Sequence, residues 1–429
     1  MPTLVYEANE AFAKKMDSQD SLSSFRKQFI LPKDDRDRDA LYFAGNSLGL
    51  QPVKAREYVN QELEDWGELG VEGHFEARKP WLPYHEFLTD MTARLVGALP
   101  HEVVVMNTLT VNLHLMMVSF YRPTASRYKI VIEHGAFPSD KYAVDSQARH
   151  HGFDPAEAIV ELRPRAGEEV IRTEDVVATL DKHGGSVALV LLGQVNYLTG
   201  QAFNVQKICA AAHQNGALFA MNLAHGAGNL LLKLHDWRVD FAVWCGYKYL
   251  NAGPGALAGC YIHERHARNK ELPRFAGWWG HDKESRFQMG PDFNPIPTAE
   301  GWQLSNPPIL QLAALRASLE LFDEATMVAL RAKSEKLTGY LEFLLRQVPN
   351  DFIHIITPEE PSARGCQLSF RVKDKPRELL SYLKKEGAIC DFREPDVLRA
   401  APAPLYNSFH DVFRYVNLIT EYARTGARK

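Results

Sequence analysis

Lys248 follows a short apolar run, Val239–Cys245, with Tyr247 just before it and the turn Asn251–Gly255 (N-A-G-P-G) just after it. A lysine at the end of a buried strand loses hydration, and the pKa of its ammonium falls. A lysine that is partly neutral can attack a carbonyl and form a Schiff base, the chemistry on which pyridoxal phosphate (PLP) enzymes depend. A second apolar run, Gly216–Met221, leads to Asn222, and His225 lies three residues on. Both runs are brief and bounded by polar or Gly-rich turns, as buried strands are. Lys248 alone leaves a second reading open, a surface lysine on a turn.

The elements that must position these residues belong to a long chain. Its 429 residues (48.5 kDa) exceed one ordinary core, which implies two domains. With 45% hydrophobic residues, 24% charged residues and a net charge of −4, the composition is that of a globular enzyme without a nucleic-acid surface. No apolar run is long enough to span a membrane, and Met1–Glu10 lacks the basic start and apolar centre of a secretory leader. Cys209, Cys245, Cys260, Cys366 and Cys390 sit in apolar surroundings without CxxC spacing. They read as reduced thiols of a cytoplasmic protein, and no group of residues reads as a metal site.

In chain order, Tyr6–Met16 and Ser21–Phe29 have helical spacing, and Pro32–Arg38 is a loop. Tyr42–Pro52 (Y-F-A-G-N-S-L-G-L-Q-P) is a short strand entering a Gly/Asn/Ser turn, followed by an amphipathic helix over Val53–Leu69. Such a turn is either a connector or a place where backbone approaches a ligand. From about 86 to 265 helices and strands alternate. The helices are Phe87–Leu99, one from Thr108 to about Tyr121, one after Phe137–Asp140 (F-P-S-D), Thr173–Lys182 and Val205–Ala212. The strands are Val103–Met106, Lys129–Glu133, Ala158–Leu162, Val187–Leu192 and the two runs that open this section. This alternation predicts a mostly parallel sheet wrapped by helices, with ligands beyond the carboxyl ends of the strands. Each polar motif falls at such an end. The aromatic loop Phe275–His281 follows, then a helical stretch from Ser305 to about Leu345 with a break at Asp323–Thr326. The last third alternates strands (Phe352–Ile356, Gln367–Val372, Ala388–Phe392, Val397–Ala400) with helices (Pro376–Glu386, Ser408–Ala423). The expected domains are an N-terminal segment, 1–49, packing with the small domain, a large domain, 50–305, and a small α+β domain, 306–429.

The motifs resemble those of kynureninases, PLP enzymes of fold type I, nearly from end to end. They are Tyr42–Pro52, G-H-F-E-A-R-K-P-W (Gly73–Trp81), M-N-T-L-T-V-N-L-H-L (Met106–Leu115), R-Y-K-I with F-P-S-D, and L-H-D-W-R-V-D-F. Y-K-Y-L-N-A-G-P-G, G-W-W-G-H, S-N-P-P-I, R-G-C-Q-L and A-P-L-Y-N-S-F-H-D-V follow in order. The resemblance implies that Lys248 holds PLP and moves the substrate α-proton. By the same resemblance Tyr247 meets the phosphate and donates a proton. Leu109 and Thr110 match the phosphate-binding start of a helix. Phe137 matches the residue stacked on the pyridine ring, with Ser139, Asp140, Asn222 and His225 beside the cofactor. Trp278 and Asn306 match positions at the phosphate and the substrate pocket. Ser47 and His74, with Asn306, match substrate-side positions, and Arg399 the anchor of the α-carboxylate. The implied reaction is hydrolytic Cβ–Cγ cleavage of kynurenine or 3-hydroxykynurenine to an aryl acid and alanine. The implied assembly is a homodimer in which Trp278 and Asn306 serve the partner's site, and the implied setting is tryptophan breakdown or NAD synthesis.

Three positions depart from the family pattern. Asn222 stands where an aspartate usually pairs with the protonated pyridine nitrogen, and an amide cannot stabilise that charge. Gly193 replaces a small hydroxyl residue, and Gly246 a serine. Two rivals follow. One is a fold type I lyase acting on another β-substituted amino acid, which would carry a cysteine nucleophile on an exposed loop. The other is a weak or silent PLP-binding variant, which Asn222 alone supports.

Overall fold

The computed structural model describes residues 5–349 and 351–425, so part of the Met1–Glu10 stretch lies outside the described residues. Seven strands form the central sheet, in the order Val103–Met106, Ala258–Ile262, Phe241–Cys245, Leu218–Asn222, Val187–Gly193, Lys129–Glu133, Ile159–Leu162. All but Ala258–Ile262 run the same way; that strand is antiparallel to both neighbours. It was not named from sequence, because A-G-C-Y-I carries no alternation to separate it from the loops around it. The other strands lie close to their expected spans, since all but the edge strand Ile159–Leu162 are largely apolar, buried runs.

Local chemistry sets the helix starts around the carboxyl ends of these strands. Asn107 takes a left-handed φ of 49°, which turns the chain from strand Val103–Met106 into helix Leu109–Phe120. Pro138 occupies the first position of helix Pro138–His150, where its missing N–H costs nothing, and this puts Ser139 and Asp140 in the first turn. After Lys248, Gly253 and Gly255 adopt φ of 95° and 67°, open to glycine and costly for other residues. The Phe87–Leu99 stretch divides into a 3-10 turn, Tyr84–Leu88, and a helix, Thr89–Val96, that ends at left-handed Gly97.

The second sheet is antiparallel, in the order Ile353–Ile355, Leu368–Val372, Val397–Ala400, Asp391–Arg393. The run Ala388–Phe392 splits between two sheets: Ala388–Ile389 pairs in parallel with Leu41–Tyr42, while Asp391–Arg393 joins the antiparallel sheet. Helix Glu10–Ser18 lays Phe12, Ala13 and Met16 into the core of this second layer, next to Leu341, Phe409 and Tyr415. Helix Ile309–Ala325 instead contributes Leu312, Leu319 and Phe322 to the large core, and the second core begins at Leu337 on helix Met327–Leu345.

Candidate active site

A cleft opens at the carboxyl ends of the central strands. It is lined by Leu109, Thr110, Phe137, Ser139, Asp140, Asn222, His225, Tyr247 and Lys248 from the sequence reading. The topology explains this gathering, because residues 109–110, 137–140, 222–225 and 247–248 each follow a different parallel strand.

Lys248 Nζ lies 3.2 Å from His225 Nε2, 5.6 Å from the centre of the Phe137 ring and 5.9 Å from that of Tyr247. Burial lowers the lysine's pKa, and the nearby Arg399 and Arg393 charges act in the same direction. Burial, then Lys248, holds the His225 pKa well below its usual value, so the ring that shares this hydrogen bond with Lys248 is neutral. The other ring nitrogen, Nδ1, is buried and has no protein partner. Thr110 Oγ1 and Ser139 Oγ are 2.9 Å apart, which ties the first turns of helices Leu109–Phe120 and Pro138–His150 together at the cleft.

Asn222 does not stand without a carboxylate. Its Nδ2 donates to both oxygens of Asp140, at 2.9 and 2.8 Å, while its Oδ1 accepts from the Ala224 amide at 2.8 Å. Burial pushes the Asp140 carboxyl up to about 6, against the opposing pull of the Asn222 bond and the Lys248 charge. Sequence reasoning missed Glu133, which also lines the cleft. It is 5% exposed, accepts from Asn196 Nδ2 at 3.1 Å, and is raised to about 7 by burial. Glu133 is the last residue of its strand, so the carboxyl-end rule would have found it. A Cβ on Gly193 would lie 3.0 Å from Glu133 Oε1, so the glycine keeps that carboxyl uncrowded. Tyr197, also missed, packs edge-on against Phe137 with ring centres 5.4 Å apart.

Five expected residues do not line the cleft. Ser47 is exposed on a turn held beside Lys248: the Gly49 amide donates to the Tyr247 carbonyl at 2.8 Å, and a Cβ on Gly49 would lie 2.3 Å from the Lys248 carbonyl oxygen. His74 is half-buried, with Nδ1 donating to the Val71 carbonyl at 2.9 Å and its ring edge-on to Trp81. Trp278 donates from Nε1 to the Arg286 carbonyl at 3.1 Å and lines a separate cleft with Met289 and Phe293. Asn306 is exposed. Arg399 lies behind Tyr197, 1% exposed, with Nη1 donating to the Tyr197 carbonyl at 2.6 Å and Nη2 to Asp391.

A lysine beyond a buried strand of a mostly parallel sheet, two helix starts facing it and a separate antiparallel C-terminal sheet together describe a PLP enzyme of fold type I. Solved structures share this fold. A mutant of the cystine C–S lyase C-DES, with glycine covalently linked to its PLP cofactor, superposes with a TM-score of 0.76 at 19% identity, over 92% of this chain and 98% of that one. A cysteine desulfurase from Escherichia coli gives 0.77 at 17% identity, over 94% and 98%. Within that class, residues 330–419 match the kynureninase C-terminal domain. Kynureninase of Myxococcus xanthus is 63% identical over 98% of this chain and 99% of its own length, and that of Koribacter versatilis 58% over 97% and 98%. The chain belongs to the kynureninase family.

Proposed function

We propose that the chain hydrolyses the Cβ–Cγ bond of kynurenine or 3-hydroxykynurenine, releasing an aryl acid and alanine. The observation that carries this reading is Lys248, a buried amine of lowered pKa held against a neutral histidine in a cleft rimmed by two helix starts. PLP fits these residues: the first-turn amides at Leu109 and Thr110 suit a phosphate, Phe137 offers a ring face, and His225 Nδ1 is a buried polar atom in want of a partner. When bound, PLP supplies an electron sink that makes the substrate α-proton acidic.

The chain's own groups do the rest. Lys248 holds the cofactor and moves the proton at Cα. The Tyr247 phenol, pushed up to about 12 by burial, stays protonated and donates to the γ-carbonyl oxygen or to the phosphate. Ser139, Asp140 and Asn222 surround the ring, and Arg399 anchors the α-carboxylate. Ser47, His74 and Asn306 meet the substrate. Trp278 and Asn306, remote from this chain's own cleft, act in the partner's site of a homodimer. The domains of this reading are 1–49 with the small domain, a large domain, 50–305, and a small C-terminal domain, 306–429; Leu312, Leu319 and Phe322 in the large core favour counting helix Ile309–Ala325 with the large domain. Cytoplasmic placement rests on the free cysteines. No helix among the described residues is long and apolar enough to cross a membrane.

A lyase working through a cysteine nucleophile is disfavoured. Cys209, Cys245, Cys260 and Cys366 are buried, and half-buried Cys390 has its thiol pushed up to about 12 by burial. A turnover assay with added PLP on both substrates tests the reading: aryl acid and alanine should form in equal amounts. A cofactor absorbance band without product would identify a silent variant instead.

A further inference from the structure

Asp391 and Arg399 face each other directly across two antiparallel strands. Asp391 is 8% exposed and takes a hydrogen bond from Arg399 Nη2. Arg393 lies two residues along the same strand, hence on the same face, and holds the same carboxylate, with Nη1 2.7 Å from Oδ1 and Nη2 3.2 Å from Oδ2. Among the described residues, Asp391 is the one carboxylate bonded to either guanidinium. Two cations thus share one anion, and Arg399 Nε is buried without a partner. Arg399 is buried, whereas the Arg393 side chain is 36% exposed, so the surplus positive charge sits at the border of solvent, where an anion can reach it. Arg399 meets the cleft through Tyr197, which lines it and whose carbonyl accepts from Nη1 at 2.6 Å, and both guanidiniums act to lower the pKa of Lys248.

We propose that Asp391 is a positioning residue that sets Arg399 and Arg393 together as one receptor for a single carboxylate of the amino-acid substrate, with Arg393 as its second cation. The inference rests on the reading of Arg399 as the carboxylate anchor. The arrangement leaves one unit of positive charge, which a monoanionic carboxylate neutralises. By accepting from Arg399 Nη2 and from both terminal nitrogens of Arg393, Asp391 orients the two guanidiniums before the ligand arrives and reduces the ordering cost of binding.

The test is the preference of the PLP-loaded protein for L-alanine over L-alaninamide, which differ at the carboxylate, each titrated by the cofactor's visible absorbance. The preference should fall at least tenfold in Asp391→Asn and in Arg393→Gln, and Arg393→Lys should recover part of it. In kynurenine turnover, KM should rise by a larger factor than kcat falls. An unchanged preference in Asp391→Asn overturns the positioning role. So does an increased one, because Asp391 would then act only to damp the arginine charges. An unchanged preference in Arg393→Gln removes Arg393 from the receptor. Arg399→Ala separates the two levels of the argument. If it too leaves the preference unchanged, the anchor reading itself fails; if it alone lowers the preference, only the present inference fails. Should Asp391→Asn not fold, the two Arg393 variants decide.

Discussion

The Asn222 side-chain amide donates to both carboxylate oxygens of Asp140, across 82 residues of sequence. Where the family resemblance implies an aspartate, the chain therefore presents an amide that grips a neighbouring carboxylate. In Asn222→Asp two carboxylates would stand where the amide bonds now are, and they cannot both ionise. The cofactor-free variant then keeps a proton in the folded state that the unfolded chain releases near pH 4. Its stability should fall relative to the parent as pH rises from about 4 to about 8. Thermal melting of both proteins over that range checks this, and parallel curves would contradict the contact. Once PLP is bound, the added carboxylate favours a protonated ring, and turnover of kynurenine should rise about tenfold, one pKa unit's worth. The nearby Asp140 charge keeps the gain at that low end.

Glu133 provides a second pH-dependent term. Its folded pKa of about 7 lies above the ordinary 4.5, so the folded state holds the proton more tightly than the unfolded chain. Its contribution is fully present at low pH and is lost as pH rises through about 7. Glu133→Gln removes that loss and should stabilise the cofactor-free protein at pH 8 by about 3 kcal/mol, with little effect at pH 4. Denaturant unfolding at the two pH values measures the difference.

Lys248→Ala should leave a folded protein that binds PLP without a covalent link. Borohydride treatment then fixes no cofactor to the chain, whereas the parent becomes labelled at Lys248. Labelling of the variant at another lysine would displace Lys248 from its assigned role.

Trp278 and Asn306 lie away from the cleft of their own chain, which makes subunit complementation informative. Lys248→Ala and Asn306→Ala proteins, each inactive, should regain about a quarter of parental activity when unfolded and refolded together, because half of the dimers are hybrids with one intact site. No recovery, or a monomer by light scattering, would return Asn306 to its own chain's chemistry.

The sequence by itself determined six of the seven strands of the central sheet, most helices and most of the cleft residues at strand ends. Apolar runs, Pro138 and the glycines beyond Lys248 act through local sterics and burial, which are the same wherever the segment sits. Its motifs also carried the family. Tertiary structure decided which distant groups meet. Asn222 reaches Asp140 because strand Leu218–Asn222 and the turn into helix Pro138–His150 end at the same edge of the sheet. Asp391 reaches Arg399 because their strands pair in that register. Helix Ile309–Ala325 shows an apolar face in sequence, but its packing against helix Val53–Leu69 assigns it to the large core. Hydrophobic periodicity says that a face is buried; only the packed chain says against what.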